Sequence, residues 1–278
     1  MSKDRGRMYP VPPAVAAGLA AMILALALAV VRIELAAVPL FIFVVLCVAA
    51  AFQPAYGFIL PVVSRGHTGR LVVSLTFDDG PDPATTPALL QLLDRHGVKG
   101  AFFVTGERTS QYGHLISEIV ERGHDIGSHS FSHDPFLMLR RTERLLREIA
   151  STQTLLHRFG ISPVAFRPPV GIANSKLPRV LRKVGLYCVI FSCRAGDFGN
   201  RRIHRLAEKI LKKVKADDII MLHDVLPRSV GGVESWLHEV DLILDGLKNK
   251  GLEVIPLSEL IARPVMVKVD RLNGKGTR

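Results

Sequence analysis

At 278 residues the chain has room for one large domain or two small ones, and 48% hydrophobic residues with a mean hydropathy of +0.27 is high for a wholly water-soluble protein. The formal net charge is +11, of which residues 71–278 carry +7, so an anionic lipid surface or a phosphorylated ligand suits the chain. No zinc-finger, helix-turn-helix or aromatic-plus-basic RNA signature accompanies that charge, which argues against nucleic acid, and Cys47, Cys188 and Cys193 make no disulfide framework.

The chain opens with a basic segment, 1–13, that holds Lys3, Arg5 and Arg7. Two uncharged apolar runs follow at 14–31 and 35–52, separated only by Arg32-Ile33-Glu34. Each is just long enough to cross a bilayer core, for which roughly 20 helical residues are typical. A cleaved signal peptide competes for the first run, but its apolar region would be shorter, about 7–15 residues, and no clear small-residue cleavage site precedes a soluble start. A two-helix membrane hairpin fits better, with Pro39 expected to kink the second helix and Tyr56 and Phe58 expected at the interface. Lys3, Arg5 and Arg7 before the hairpin and Arg65 and Arg70 after it favour the cytoplasmic side, whereas Arg32 in the turn is offset by Glu34. The expectation is a multi-pass protein of a bacterial-type inner membrane with its remaining chain in the cytoplasm. A single true crossing would place that chain outside.

A linker, 53–70, leads to an α/β pattern over 71–262, and a basic, loose tail is expected at 263–278. Strands are predicted at 71–77, 98–104, 124–127, 164–167, 187–192, 218–222 and 252–255, and helices at 84–96, 111–122, 142–159, 175–184, 203–214 and 234–250. Gly97, Gly123, Gly160, Gly185 and Gly251 each stand where a helix C-terminus needs one. Strict alternation implies parallel strands with right-handed crossovers, in either an open doubly wound sheet or a closed barrel.

In either architecture the strand C-termini share one face, where sites are built. Asp78 and Asp79 end the first strand at a Gly80-Pro81 breaker. Adjacent carboxylates perturb each other, so the pair makes most sense with one facing a metal ion and one handling a proton, although Asp-Asp-Gly-Pro also suits a plain turn. His129 and His133 follow the third strand at a spacing that brings two imidazoles to one ion from a helical turn. Arg167 ends the fourth strand, Asp197 and Phe198 lie past the fifth, and His223 ends the sixth. Singly these suit an ion pair, a helix cap and a half-buried histidine. Gathered on one rim, they exceed what fold maintenance requires.

Taken in order, Thr76-Phe77-Asp78-Asp79-Gly80-Pro81, His129-Ser130-Phe131-Ser132-His133, Arg167-Pro168-Pro169-Val170-Gly171, Asp197-Phe198 and Leu222-His223-Asp224 resemble the five motifs of the NodB-homology polysaccharide deacetylases, carbohydrate esterase family four. The resemblance covers about 71–260 and implies a distorted (β/α)7 barrel that removes an N-acetyl or related acyl group from a sugar. By that resemblance Asp79, His129 and His133 are the metal ligands, for zinc or else Co(II) or Fe(II), and Asp78 is the general base. It likewise makes His223 the general acid, Arg167 the residue that orients Asp78, Asp197 the partner of His223, and the Val170 N–H an oxyanion donor. The family's third motif often has Tyr where Val170 stands, and its fourth often has Trp where Phe198 stands, which points away from the usual chitin-like or peptidoglycan substrate. The expected substrate is an acylated amino-sugar glycan, envelope or lipid-linked, met at membrane lipid. An extracytoplasmic cell-wall deacetylase and a catalytically idle glycan-binding barrel are the alternatives.

Overall fold

In the computed structural model, residues 11–228 and 231–269 are described, and two apolar helices lead into an α/β body. Helix α1 (Pro13–Val31) and helix α2 (Ala37–Phe52) flank a 3-10 turn at Ile33–Ala36. Two helical stretches of 19 residues, Pro13–Val31 and Ile33–Ala51, reach mean hydropathies of 2.7 and 2.6, long and apolar enough to cross a membrane. The helices pack closely: a Cβ on Gly18 would stand 3.0 Å from the Phe43 ring. The kink expected at Pro39 has no cause here. The helix begins at Ala37, so Pro39 occupies the first turn, where a missing N–H breaks no bond.

The body runs β1 (Val62–Val63), β2 (Val72–Asp78), α3 (Thr86–Arg95), β3 (Ala101–Val104), α4 (Gly106–Gln111), α5 (Gly113–Glu121), β4 (Asp125–Ser128) and α6 (Thr142–His157). It continues through β5 (Ile161–Pro163), β6 (Ala165–Phe166), α7 (Leu177–Val184), β7 (Tyr187–Val189), β8 (Cys193–Arg194), α8 (Leu206–Lys213) and β9 (Ile219–His223). Helix α9 (Gly232–Asn249), β10 (Glu253–Val254), α10 (Leu257–Leu260) and β11 (Met266–Lys268) complete it. The main sheet has the order β1-β7-β6-β4-β3-β2-β9-β8, with β10 also paired to β2 and every pairing parallel.

That order decides between the open sheet and the barrel. Strands β7 and β8 are six places apart, roughly 29 Å in a flat sheet at about 4.8 Å per step. Yet only residues 190–192 join them, and so short a connector spans at most about 14 Å. The sheet must curl until its edges approach, giving the half-barrel of a distorted (β/α)7 architecture. The strand predicted at 187–192 accordingly stops at Val189, and its last three residues are the connector that crosses to β8.

At the middle lies β2, whose seven residues are all buried, as expected of a parallel strand covered on both faces. Around it α3 buries Leu89, Leu90, Leu92 and Leu93, and α9 buries Trp236, Val240, Ile243, Leu244 and Leu247, each large aliphatic group stabilising the fold by about 1.5–3 kcal/mol. Three further expectations need correction. The helix predicted at 111–122 is broken at Tyr112, whose φ of −125° and ψ of 43° are not helical, so α4 and α5 are separate. The linker at 53–70 contributes β1, which pairs with β7. The tail at 263–278 is ordered in its described part, where β11 pairs antiparallel with β5; residues 270–278, like the basic residues 1–10, lie outside the described residues.

Candidate active site

Strand register assembles the rim. Asp78, the last residue of β2, is paired with His223, the last of β9, while Ser128 of β4 is paired with Phe166 of β6. His129 and Arg167 therefore emerge side by side, one residue past that second pair. All are at strand C-terminal ends, where the chain leaves the ladder and side chains are free to converge.

The two aspartates separate at once. Asp78 is 4% exposed and accepts a 2.6 Å hydrogen bond from Arg167 Nη1. Asp79 has a φ of 72°, which turns its carboxylate away from that of Asp78 despite their adjacency. Gly80 is required next, because a Cβ there would stand 2.6 Å from Asp224 Oδ2. Asp224 is wholly buried, donates its backbone N–H to the Asp78 carbonyl at 2.8 Å, and accepts the Thr85 and Thr86 hydroxyls at 2.7 and 2.6 Å. Burial pushes its carboxyl up to about 7 even against those two donors.

Arg167 is 0% exposed, lies 3.9 Å from the Phe103 ring centroid, and donates also to Thr76 Oγ1 at 2.8 Å and the Ile190 carbonyl at 3.1 Å. Burial draws its pKa down and the Asp78 carboxylate opposes that shift. A guanidinium so enclosed fixes one rotamer of Asp78.

His129 and His133 are not on a helical turn, contrary to the sequence expectation. The segment is an irregular loop in which Ser130 and His133 take φ of 66° and 51°. Glu148 of α6 holds it, accepting the N–H groups of Phe131 and Ser132 at 3.1 and 2.8 Å and the Ser132 hydroxyl at 2.9 Å. His129 Nδ1 meets the Arg167 carbonyl at 2.8 Å; a carbonyl only accepts, so Nδ1 carries the proton and Nε2 presents its lone pair inward.

The Nε2 atoms of His129 and His133 lie 3.3 and 3.1 Å from Asp79 Oδ1. These contacts lack hydrogen-bond alignment, and Asp79 Oδ1 is a buried oxygen without a partner. The three ligand atoms lie within 4.8 Å of one another. Burial would raise the Asp79 pKa, but the imidazoles, His129 foremost, more than reverse it and hold the carboxyl well below its usual range. Burial lowers the pKa of His133. An ionised carboxylate oxygen with no donor, faced by two imidazole nitrogens, fits a divalent cation, and two imidazoles with one carboxylate suit zinc.

Opposite this cluster, His223 Nδ1 donates to Asp197 Oδ2 at 2.6 Å. Asp197 is 1% exposed and is carried there by a tight coil in which Gly196, Phe198, Gly199 and Asn200 all have positive φ. Burial alone would lower the His223 pKa, but the hydrogen bond and charge of Asp197 outweigh it and raise the imidazole to about 9. Asn200 steadies the strand end by donating to the His223 and Val225 carbonyls at 3.0 and 2.7 Å. Val170 sits in the turn Pro169–Gly171 with a φ of 51°, a conformation that costs a β-branched residue on the order of 1–3 kcal/mol.

The structure thus brings Asp78 to Arg167, Asp79 to His129 and His133, and His223 to Asp197, and sets Val170 on the same rim. Sequence reasoning passed over Glu148 and Asn200, and quoted Thr76 and Asp224 without a task. A hydroxyl two residues before the paired acids was the available signal for Thr76, although Ser74 in the same strand offers one too; Glu148, mid-helix among other charges, offered none.

The family model described as polysaccharide deacetylase matches residues 65–189. The chain is 32% identical over 208 residues to a chitooligosaccharide deacetylase of Azorhizobium caulinodans, covering 72% of this chain and 99% of that protein. It is 31% identical over 209 residues to the peptidoglycan-N-acetylglucosamine deacetylase PgdA of Listeria monocytogenes, covering 75% of this chain but only 42% of that longer protein. Among solved structures, a family 4 carbohydrate esterase from Streptomyces lividans in complex with acetate superposes with a TM-score of 0.60 at 29% identity, over 72% of this chain and 98% of that one.

Proposed function

From the premise that the chain belongs to the polysaccharide deacetylase family, we propose that it is a membrane-anchored, metal-dependent hydrolase that removes an N-acetyl or similar acyl group from an envelope or lipid-linked glycan. The observation that carries this reading is the segregation of the rim into three units: a ligand cluster, a carboxylate clamped by a buried arginine, and an imidazole held by a buried carboxylate. A binding barrel needs no such division of labour.

A divalent ion held by Asp79, His129 and His133 would polarise the acyl carbonyl and acidify water. The protein's own groups do the rest. Asp78 accepts the proton of the attacking water, and Arg167, by its 2.6 Å hydrogen bond, keeps that carboxylate turned inward for the task. His223 delivers a proton from Nε2 to the departing amine, because Nδ1 is committed to Asp197. The Val170 N–H is assigned to the oxyanion by the family resemblance. The products are the free carboxylic acid and an amino sugar.

The hairpin supports anchoring in a cell membrane with the catalytic body on its cytoplasmic face, since both apolar helices have spanning length. A second reading, deacetylation of a cell-wall polymer outside the membrane, is favoured by the peptidoglycan relatives' names. Acetate or formate release from N-acylated wall polymers and from lipid-linked sugars tests both. Release that a chelator abolishes and zinc restores is expected; release indifferent to chelator overturns the metal reading, and none from any substrate overturns the activity.

A further inference from the structure

Nine large apolar side chains on the α/β body are exposed among the described residues, and five of them surround the candidate site. Phe136 and Leu139, 60% and 80% exposed, follow His133; Val170, Phe198 and Leu226 protrude at 50%, 64% and 53% from the segments after β6, β8 and β9. Single exposed apolar residues need no explanation, but a collar at one end of a barrel does.

Cations stand beside it. Arg140, Arg141, Arg144 and Arg147 line one groove against the single acid Glu143. Asp134 engages Arg140 at 2.8 Å and Arg144 at 3.5 Å, whereas Arg141 and Arg147 make no salt bridge among the described residues. Apolar tips flanked by unneutralised arginines are the composition that settles at an anionic headgroup layer.

The hairpin says which way that layer lies. Near the end of α2 the Ala51 carbonyl accepts the N–H of Ala173, two residues past the Pro169–Gly171 turn. Asn174 then donates its side-chain amide to the Met138 carbonyl, and Lys176 Nζ donates to the Arg140 carbonyl at 2.6 Å. The exit of α2 is thereby continuous with the loop that bears Phe136, Leu139 and Arg140. Tyr56, 79% exposed, stands at that exit, where aromatic residues favour the interface.

We propose that this rim docks on an anionic bilayer surface, with Phe136 and Leu139 inserted and Arg141 and Arg147 on the headgroups, so that the site opens against lipid. The inference rests on the membrane-anchor reading of the hairpin. A sugar carried on a lipid phosphate then reaches Asp78 and His223 without leaving the surface.

The test uses the full chain in nanodiscs containing phosphatidylglycerol and a headgroup spin-labelled lipid as quencher. A bimane label is placed at native Cys47, or, in a Cys47→Ser background, at Phe136→Cys, Leu139→Cys or Lys250→Cys; Cys188 and Cys193 are buried and unreactive. Lys250 follows α9 at the opposite end of the barrel. Labels at 136 and 139 are expected to lose most of their emission and the label at 250 little, with Arg141→Glu plus Arg147→Glu restoring emission at 136 and 139. A quenched Cys47 label with unquenched 136 and 139 overturns the docking alone. An unquenched Cys47 label overturns the anchor itself. Shielding of 136 and 139 from aqueous iodide without lipid quenching, lost on dilution to one copy per disc, assigns the collar to a second copy and also overturns the proposal.

Discussion

Asp78 and Asp79 are covalent neighbours, yet their surroundings give them different chemistry. Asp78 is locked to Arg167, whereas Asp79 keeps an oxygen free of donors beside two imidazoles. Asp78→Asn should therefore lower turnover by about 10²–10⁴-fold, the usual worth of a positioned base, while bound zinc stays near one per chain. Acid release together with metal analysis checks this, and loss of the metal would place Asp78 among the ligands. The His223 pair gives a pH prediction. Its folded pKa of about 9 is raised above the ordinary 6.5, so the pairing stabilises fully below about 6.5 and is lost as pH rises through about 9. Activity that needs a protonated His223 should fall on the alkaline side. In Asp197→Asn the pairing charge is gone, and that limb of the kcat/KM profile should move down towards 6.5. An unmoved limb would show that another group sets it.

At the scale of elements, the site depends on α6 as much as on the strands. Glu148 ties the His129–His133 loop through three hydrogen bonds, so Glu148→Ala should weaken zinc binding by about 10–100-fold with the far-ultraviolet dichroism unchanged. A chelator-competition titration measures it; unchanged affinity would mean that the loop holds its own shape. Glu148 also marks the edge of what a sequence displays. Asp78, Asp79, His129, Arg167, Asp197 and His223 were legible because each ends a strand or lies just beyond one, where fold maintenance asks only for turn residues. Which of them would touch was set by register, as in the pairing of Asp78 with His223, and register leaves no local trace. The left-handed residues at Ser130 and His133 were hidden for the same reason: the spacing of the two histidines matched a helical turn, and Glu148, far along the chain, chose otherwise. Strand β1, two residues long, has no periodicity to read, and β11 exists only through β5, about a hundred residues earlier. Helices α3, α5, α6, α7 and α9, by contrast, announced themselves through apolar periodicity and a following glycine, whereas the short α4 and α10 did not.

For the whole molecule, the proposed membrane anchoring makes the orientation of the hairpin decide which glycans the site would meet. Two spanning helices return the chain to the side from which it started, and Lys3, Arg5 and Arg7 favour the cytoplasm for that start. The body then reinforces the choice through Arg65 and Arg70. In the folded state Arg65 pairs with Asp218 at 2.5 Å and Arg70 with Glu253 and Glu259 at 3.2 and 3.0 Å, but those partners are made about 150 residues or more later. On the proposed two-span reading, both arginines would still be uncompensated during insertion, close behind the second span, and free to resist translocation. A reporter fused after Arg278 should accordingly be active only in the cytoplasm, and Arg65→Glu with Arg70→Glu should shift part of the population outward while each folded body keeps its β2 and β9 pairing. A reporter active only outside would mean one crossing, with the other apolar run outside the bilayer or cleaved, and would turn the substrate assignment towards wall polymer.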